Sequence, residues 1–423
     1  MIYYQQGSES TAINDTELKE AVSVILERIG PRKKVLIIPP DYTRFHSRAG
    51  DITSFIYDYY RERISDILPA LGTHMPMTGE EISIMYRDVP HNLFRVHDWR
   101  NDVLTVGTVS GEFVSELTEA RLSYPWPAQL NKMIVERGYD LIISVGQVVP
   151  HEVAGMANYN KNIFIGTGGH EGINKSHFIG AVYGMERMMG KADTPVRRLL
   201  NFASGEFTAH LPLVYIHTVI GRDEAGSLAI RGLYAGDDEE VFLKAAELSV
   251  RVNFTVLDKP LAKVVVYLDP GEYKSTWLGN KAIYRTRMAM ADDGELIILA
   301  PGLRQFGEDG VIDGLIRKYG YRGTDAVLRQ LDGNAELENN LSAAAHLIHG
   351  STEGRFKVTY CPGILSREEI ESVNFCYDDL DKMMARYDGG RLREGFSTMP
   401  GGQEIFFISN PATGLWASKE RLA

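Results

Sequence analysis

The 423-residue chain has little sulfur chemistry: Cys361 and Cys376 are its only cysteines, so a disulfide framework and a thiolate zinc cluster are both excluded. It has no apolar run near the roughly 18 residues that a membrane span needs, and MIYYQQGSESTAINDTELKE lacks the basic-then-apolar pattern of a secretory signal. A cytoplasmic protein without membrane contact is expected. Positive charge is in deficit, with 45 Lys and Arg against 56 Asp and Glu, a net charge of -11 and a pI near 5.6. That balance disfavours nucleic acid as a partner. Several motifs are also missing. No G-x-G-x-x-G follows the first strand and there is no G-x-x-x-x-G-K-[ST], so dinucleotide and nucleoside triphosphate fingerprints are lacking. GTGGHEG, residues 166 to 172, fits neither spacing. Without G-x-S-x-G or H-E-x-x-H, a serine hydrolase or zincin is disfavoured.

What is present alternates between helical and strand periods. DTELKEAVSVILERIGP places Leu18, Val22, Ile25 and Ile29 on one stripe, with Asp15 as the expected N-cap and Gly30-Pro31 as the stop. KVLIIPP reads as a buried strand, TSFIYDYYRERIS as a helix, DILPAL as a strand, and Thr78 to Glu81 as a capping box. DLIISVG, NIFIG, PLVYIHTVIG, AKVVVYLD, GELIILAP, KVTYCPG and EIFFIS are further expected strands. Apolar strands separated by helices imply an α/β protein with mostly parallel, helix-covered sheets. The break at LDKPLAKVVVYLDPGEY suggests two domains, 1–260 and 261–423, with the last segment free to return to the first. The active site is expected in a cleft between them.

In such sheets ligands sit beyond the carboxyl ends of the strands. The loops there carry Asp41, Thr43, Arg44 and His46; then His74; then His151 and Lys161 in VVPHEVAGMANYNKN; then His170, Lys175 and His177. In the second half, Trp277 and Lys281 open a helical pattern after YLDPGEY. Taken singly, a histidine after a strand is more often a turn residue than a catalyst, Asp41 is a natural helix cap, and a lysine in an Asn-rich loop is usually solvated. Their convergence on one side of the strands points instead to a polar, cationic pocket for a small anion. A pair of histidines titrating near neutrality suits proton exchange, and Arg44 or Lys281 suits a carboxylate.

DYTR after the first strand, GTHMPMT with its continuation GEEI, the His-Asp of FRVHDWRND, and a histidine followed ten residues later by lysine resemble the nickel-dependent lactate racemase family. His177, twenty-six residues beyond His151, and Lys281 match that family's spacing as well. The resemblance implies a nickel-pincer mononucleotide derived from nicotinic acid, with a pyridinium ring bearing thioamide and thiocarboxylate groups. Lys161 would be its covalent tether and His177 the protein ligand to nickel. His74 and His151 would be the acid/base pair at C2 of a 2-hydroxy acid, a hydride leaving C2 and returning to the opposite face. Asp41 and Thr43 would contact the cofactor, while Arg44, Lys281 and Trp277 would contact the substrate. Enzymes of cofactor biosynthesis would be partners.

Departures from the family pattern bear on the substrate. Asn158-Tyr159-Asn160 stands where the lactate enzymes have Gly-Gly-Arg, Trp277-Leu278 where they have Tyr-Gln, and Phe45 where they have proline. The expectation is therefore a racemase or epimerase of a 2-hydroxy acid other than lactate: a larger aliphatic or aryl acid, malate, or an aldonic acid whose hydroxyls the Asn-Tyr-Asn run would meet. Two alternatives stay open. One is a lyase or hydrolase in which His74, His151, His170 or His177 bind zinc or iron directly; the other is a non-catalytic binder of anionic metabolites.

Overall fold

The computed structural model describes residues 1–222, 227–387 and 392–422. The chain divides into two compact units, Met1–Tyr183 with Arg187–Asn253, and Gly184–Glu186 with Phe254–Ala423.

The first unit is built on a six-stranded sheet of β1 (Ile2–Gly7), β2 (Val35–Ile38), β3 (Ile64–Ile67), β4 (Leu141–Gln147), β5 (Leu213–Arg222) and β6 (Leu228–Gly236). The spatial order is β1-β6-β5-β4-β2-β3. β3, β2, β4 and β5 run parallel, while β5, β6 and β1 pair antiparallel. β2, inside the parallel part, is wholly apolar and all four of its residues are buried, as expected for a strand covered on both faces. One face packs against α1 (Asp15–Ile29) and α2 (Ala49–Tyr60), where Leu18, Val22, Ile25, Ile52 and Ile56 meet Ile37, Ile143 and Ile216. On the other face the helix Glu239–Asn253 lies over β5 and β6.

Two local expectations are corrected. The cap of α1 is Asn14 rather than Asp15: its side chain accepts from the N–H groups of Thr16 and Glu17, and Glu17 accepts in return from the Asn14 N–H at 2.9 Å. Glutamate three residues after Asn14 completes a capping box there and leaves Asp15 in the first turn. NIFIG is a π-helical turn, Asn162–Gly166, and not a strand. Short apolar runs do not distinguish a buried strand from a buried helix, and Thr167 Oγ donates to the Ile163 carbonyl at 2.6 Å to close the turn. The following helix α3 (His170–Tyr183) carries His177.

The second unit holds its own six-stranded sheet, in the order Cys376–Tyr377, Lys357–Pro362, Met290–Ala300, Leu261–Tyr267, Glu404–Ile408, Gly395–Thr398. All neighbours are parallel except the last pair. Trp416–Ser418 pairs with Thr255–Leu257 in this unit. Among the described residues no helix is long and apolar enough to cross a membrane.

Candidate active site

The carboxyl ends of β2, β3 and β4 open onto a cavity of ≈ 270 Å³ whose lining belongs wholly to the first unit. Asp41, Thr43 and Arg44 come from the turn after β2, and His74 from the loop after β3. His151, Lys161 and His177 complete the wall, with Glu152, Gln147 and Asn158 beside them. Seven of the nine sequence-derived candidates therefore meet in one place. The close approach is backbone-driven: Gly72 N–H donates to the Gly166 carbonyl at 2.8 Å, stitching the His74 loop to the Lys161 segment. A Cβ at Gly166 would sit 2.7 Å from that of Ala70, so only glycine allows the contact.

Asp41 organises the first wall. It caps the short 3-10 turn Tyr42–Ser47, its Oδ1 accepting from the Thr43 N–H at 3.0 Å and from the Thr43 hydroxyl. Its Oδ2 lies 2.5 Å from His74 Nδ1. Burial pushes the Asp41 carboxyl upward, but the bonds from His74 and Thr43 outweigh it and hold it below the usual range. An ionised Asp41 fixes the proton of His74 on Nδ1, leaving Nε2 with its lone pair. Thr43 thus touches Asp41 and supports it.

His151 has the opposite tautomer. Its Nδ1 accepts from the Val153 N–H at 3.1 Å, so the neutral ring carries its proton on Nε2. Burial, then the charges of Lys161 and Arg44, push its pKa well below the ordinary 6.5, with Glu152 opposing. His177 donates from Nδ1 to the Ile173 carbonyl at 2.7 Å, and burial with the Lys161 charge brings its pKa to about 4. A neutral ring with Nε2 unprotonated and Nδ1 anchored to a carbonyl is the state in which histidine binds a metal. Burial, followed by Arg44, lowers the Lys161 amine to about 8. Near neutrality much more of it is nucleophilic than of an ordinary lysine.

Sequence reading passed over Glu152, Gln147 and Arg197. Glu152 partly offsets the cationic field on His151, Lys161 and His177; only its place next to His151 hinted at this. Of the Asn-Tyr-Asn run, only Asn158 lines the cavity. Tyr159 is turned into the core, its ring 4.5 Å from Tyr215 and 5.2 Å from Phe242, and Asn160 is fully buried against Arg197, Asn201 and Ser204. Two of the three residues therefore do not offer partners to substrate hydroxyls, because apolar and cationic neighbours behind the loop claim them. His170 is exposed, stacked on Trp99 at 5.3 Å, and lies outside the cavity lining.

Lys281 and Trp277 belong to the second unit. Trp277, in the helix Thr276–Gly279, stacks on the buried His346 at 4.2 Å, and Lys281 begins the next helix with its amine 5.6 Å from the Tyr273 ring centre. Among the described residues no group of three or more His, Cys, Asp or Glu is placed to hold a metal. Direct ligation by several histidines thus finds no counterpart there.

Residues 9–189, which hold this whole cluster, match the model of the lactate racemase N-terminal domain. The first part of the chain is thus similar to the N-terminal domain of lactate racemases. A curated lactate racemase from Thermoanaerobacterium thermosaccharolyticum is 26% identical over 294 residues, 66% of this chain. The match spans 62% of that relative's length. A crystal structure of a Thermotoga maritima protein, a Northeast Structural Genomics Consortium target, superposes with a TM-score of 0.78 at 26% identity, over 98% of this chain and 100% of that one. The lactate racemase apoprotein from T. thermosaccharolyticum has the same mixed α/β, two-domain fold, with a TM-score of 0.66 at 19% identity over 91% of this chain and 87% of its own.

Proposed function

We propose that this chain is a divergent member of the lactate racemase family, a racemase or epimerase that inverts C2 of a 2-hydroxy acid. The observation that carries the reading is the meeting of His74, His151, Lys161 and His177 in one cavity, with the two acid/base candidates in complementary tautomers.

The residues present fit the pincer nucleotide that the resemblance implies. His177 would offer Nε2 to nickel as the one protein ligand, consistent with its anchored Nδ1. Lys161 would hold the nucleotide through its amine, which is poised for acyl transfer by its lowered pKa. When bound, that group supplies hydride acceptance from C2 and return to it.

The remaining work falls to the chain itself. Arg44 would hold the substrate carboxylate, its planar fork matching the two oxygens. His74 Nε2 would take the proton of the C2 hydroxyl, and Asp41 would stabilise the imidazolium that forms. His151 Nε2–H would donate a hydrogen bond to the same oxygen from its other side. For the second enantiomer the pair would exchange acceptor and donor roles only after the His151 proton moves from Nε2 to Nδ1, at the expense of the bond from the Val153 N–H. Lys281 and Trp277 keep their substrate roles as part of this proposal, on the resemblance alone. The Trp277-Leu278 departure keeps lactate itself out of favour as substrate.

Protein coexpressed with pincer-synthesis enzymes tests this. Intact mass should show a covalent nucleotide that disappears in Lys161→Ala. In deuterated water, NMR should show an inverted 2-hydroxy acid retaining protium at C2. Solvent deuterium at C2 would replace the hydride scheme with carbanion chemistry, and loaded protein inert towards every 2-hydroxy acid would refute the reading.

A further inference from the structure

Behind the Lys161 loop lies a cation that neither the family resemblance nor the mechanism above employs. Arg197 stands in the first turn of the helix Pro195–Phe207, whose N-cap is Thr194, and is only 1% exposed. A buried guanidinium ordinarily meets a carboxylate. Arg197 instead turns its two terminal nitrogens on the short stretch of residues 156–160. It donates to the Met156 carbonyl at 2.8 Å, to the Asn158 carbonyl at 3.3 and 3.4 Å, and to Asn160 Oδ1. Its plane lies 4.2 Å from the Phe242 ring centre and 5.7 Å from that of Tyr159.

That stretch needs holding. Asn158 and Tyr159 have φ of 67° and 58°, both in the left-handed region, and tyrosine pays more for this than glycine would. Arg197 reaches this loop from a neighbouring helix. Lys161 follows directly, so the path of residues 156–160 decides where its amine emerges.

We propose that Arg197 is the positioning residue for Lys161, clamping the Asn158-Tyr159 turn from behind so that the amine is delivered into the cavity beside His151 and His177. The inference rests on the proposed use of Lys161 as a covalent anchor, but its physical content concerns the free amine. The groups facing that amine are Arg44 from the turn after β2, Glu152 and His151 from the hairpin after β4, His177 from α3, and Arg197 from behind. Arg197 and burial both favour the neutral amine, and loosening the clamp relaxes both.

The test is acetylation of the apo-protein by N-hydroxysuccinimidyl acetate across pH 6 to 10, read at Lys161 by peptide mass spectrometry with Lys175 as internal reference. Wild-type Lys161 should reach half-maximal reactivity near pH 8. In Arg197→Met the midpoint should move up by about one pH unit, cutting reactivity near pH 7.5 severalfold, while Arg197→Lys, which keeps the charge, should recover part of the shift. If Arg197→Met does not fold, Asn160→Ala removes one clamp contact and should move the midpoint the same way by less. A midpoint unchanged in the folded variants, or a gain in reactivity equal at every pH, would overturn the proposal and leave Arg197 a purely structural residue. Failure of the nucleotide to load on Lys161 would count against the proposed function while leaving this pH response intact.

Discussion

Lys161→Met should make the cofactor-free protein more stable, although it removes a functional residue. The folded protein holds the Lys161 amine at about 8 against an ordinary 10.5, chiefly through burial and then through Arg44. Folding therefore weakens proton binding, and the unfolded chain holds more protons between those two values. Stability consequently rises with pH through that window. Below the folded value the full cost applies, about 3 kcal/mol at roughly 1.4 kcal/mol per pH unit. Contact with water in the cavity screens part of this, leaving about 2 kcal/mol as the expected gain. Methionine nearly matches the length of lysine and carries no charge. At about 2–4 °C per kcal/mol, the variant should melt roughly 4–8 °C above wild type near neutrality. The gap should close progressively as pH rises from about 8 to 10.5. Fluorescence-detected melting of both proteins across that range measures it. A variant no more stable than wild type, or a gap indifferent to pH, would refute the claim that the amine is held uncomfortably in the cavity.

Three further outcomes follow from the geometry. Asp41→Asn should keep the fold but free the His74 tautomer, lowering turnover of the loaded enzyme by about a hundredfold with little change in substrate affinity; steady-state kinetics would check it, and an equal loss in affinity would contradict it. His177→Ala should lower bound nickel at least about tenfold while the nucleotide mass on Lys161 remains, as metal analysis beside intact mass would show. Asn158→Ala should destabilise the protein by about 1 kcal/mol relative to Asn158→Gly, because alanine tolerates the left-handed φ of 67° poorly; comparative urea unfolding would show it.

The legible part of this protein was set by local chemistry. The apolar runs of β2, β4 and β5 announced themselves because a parallel strand buried on both faces has almost no polar residue to hide it. The site followed from them, since the turns after β2, β3 and β4 must open on the same edge, and Asp41, His74 and His151 stand in those turns or just beyond. What escaped is of two kinds. NIFIG was misread as a strand because burial on every side erases the period that separates helix from strand. The direction of Tyr159 and Asn160 was misjudged because it depends on Arg197 and Phe242, residues distant in sequence whose relation to the loop no spacing records. That second error bears on function. The run expected to meet substrate hydroxyls is mostly turned inward, so the case for a polyhydroxy acid narrows to Asn158 and Gln147 on the cavity wall. The inward-turned part of this loop then bears first on the path that leads to Lys161, and a preference for substrate must be sought in the residues that line the cavity.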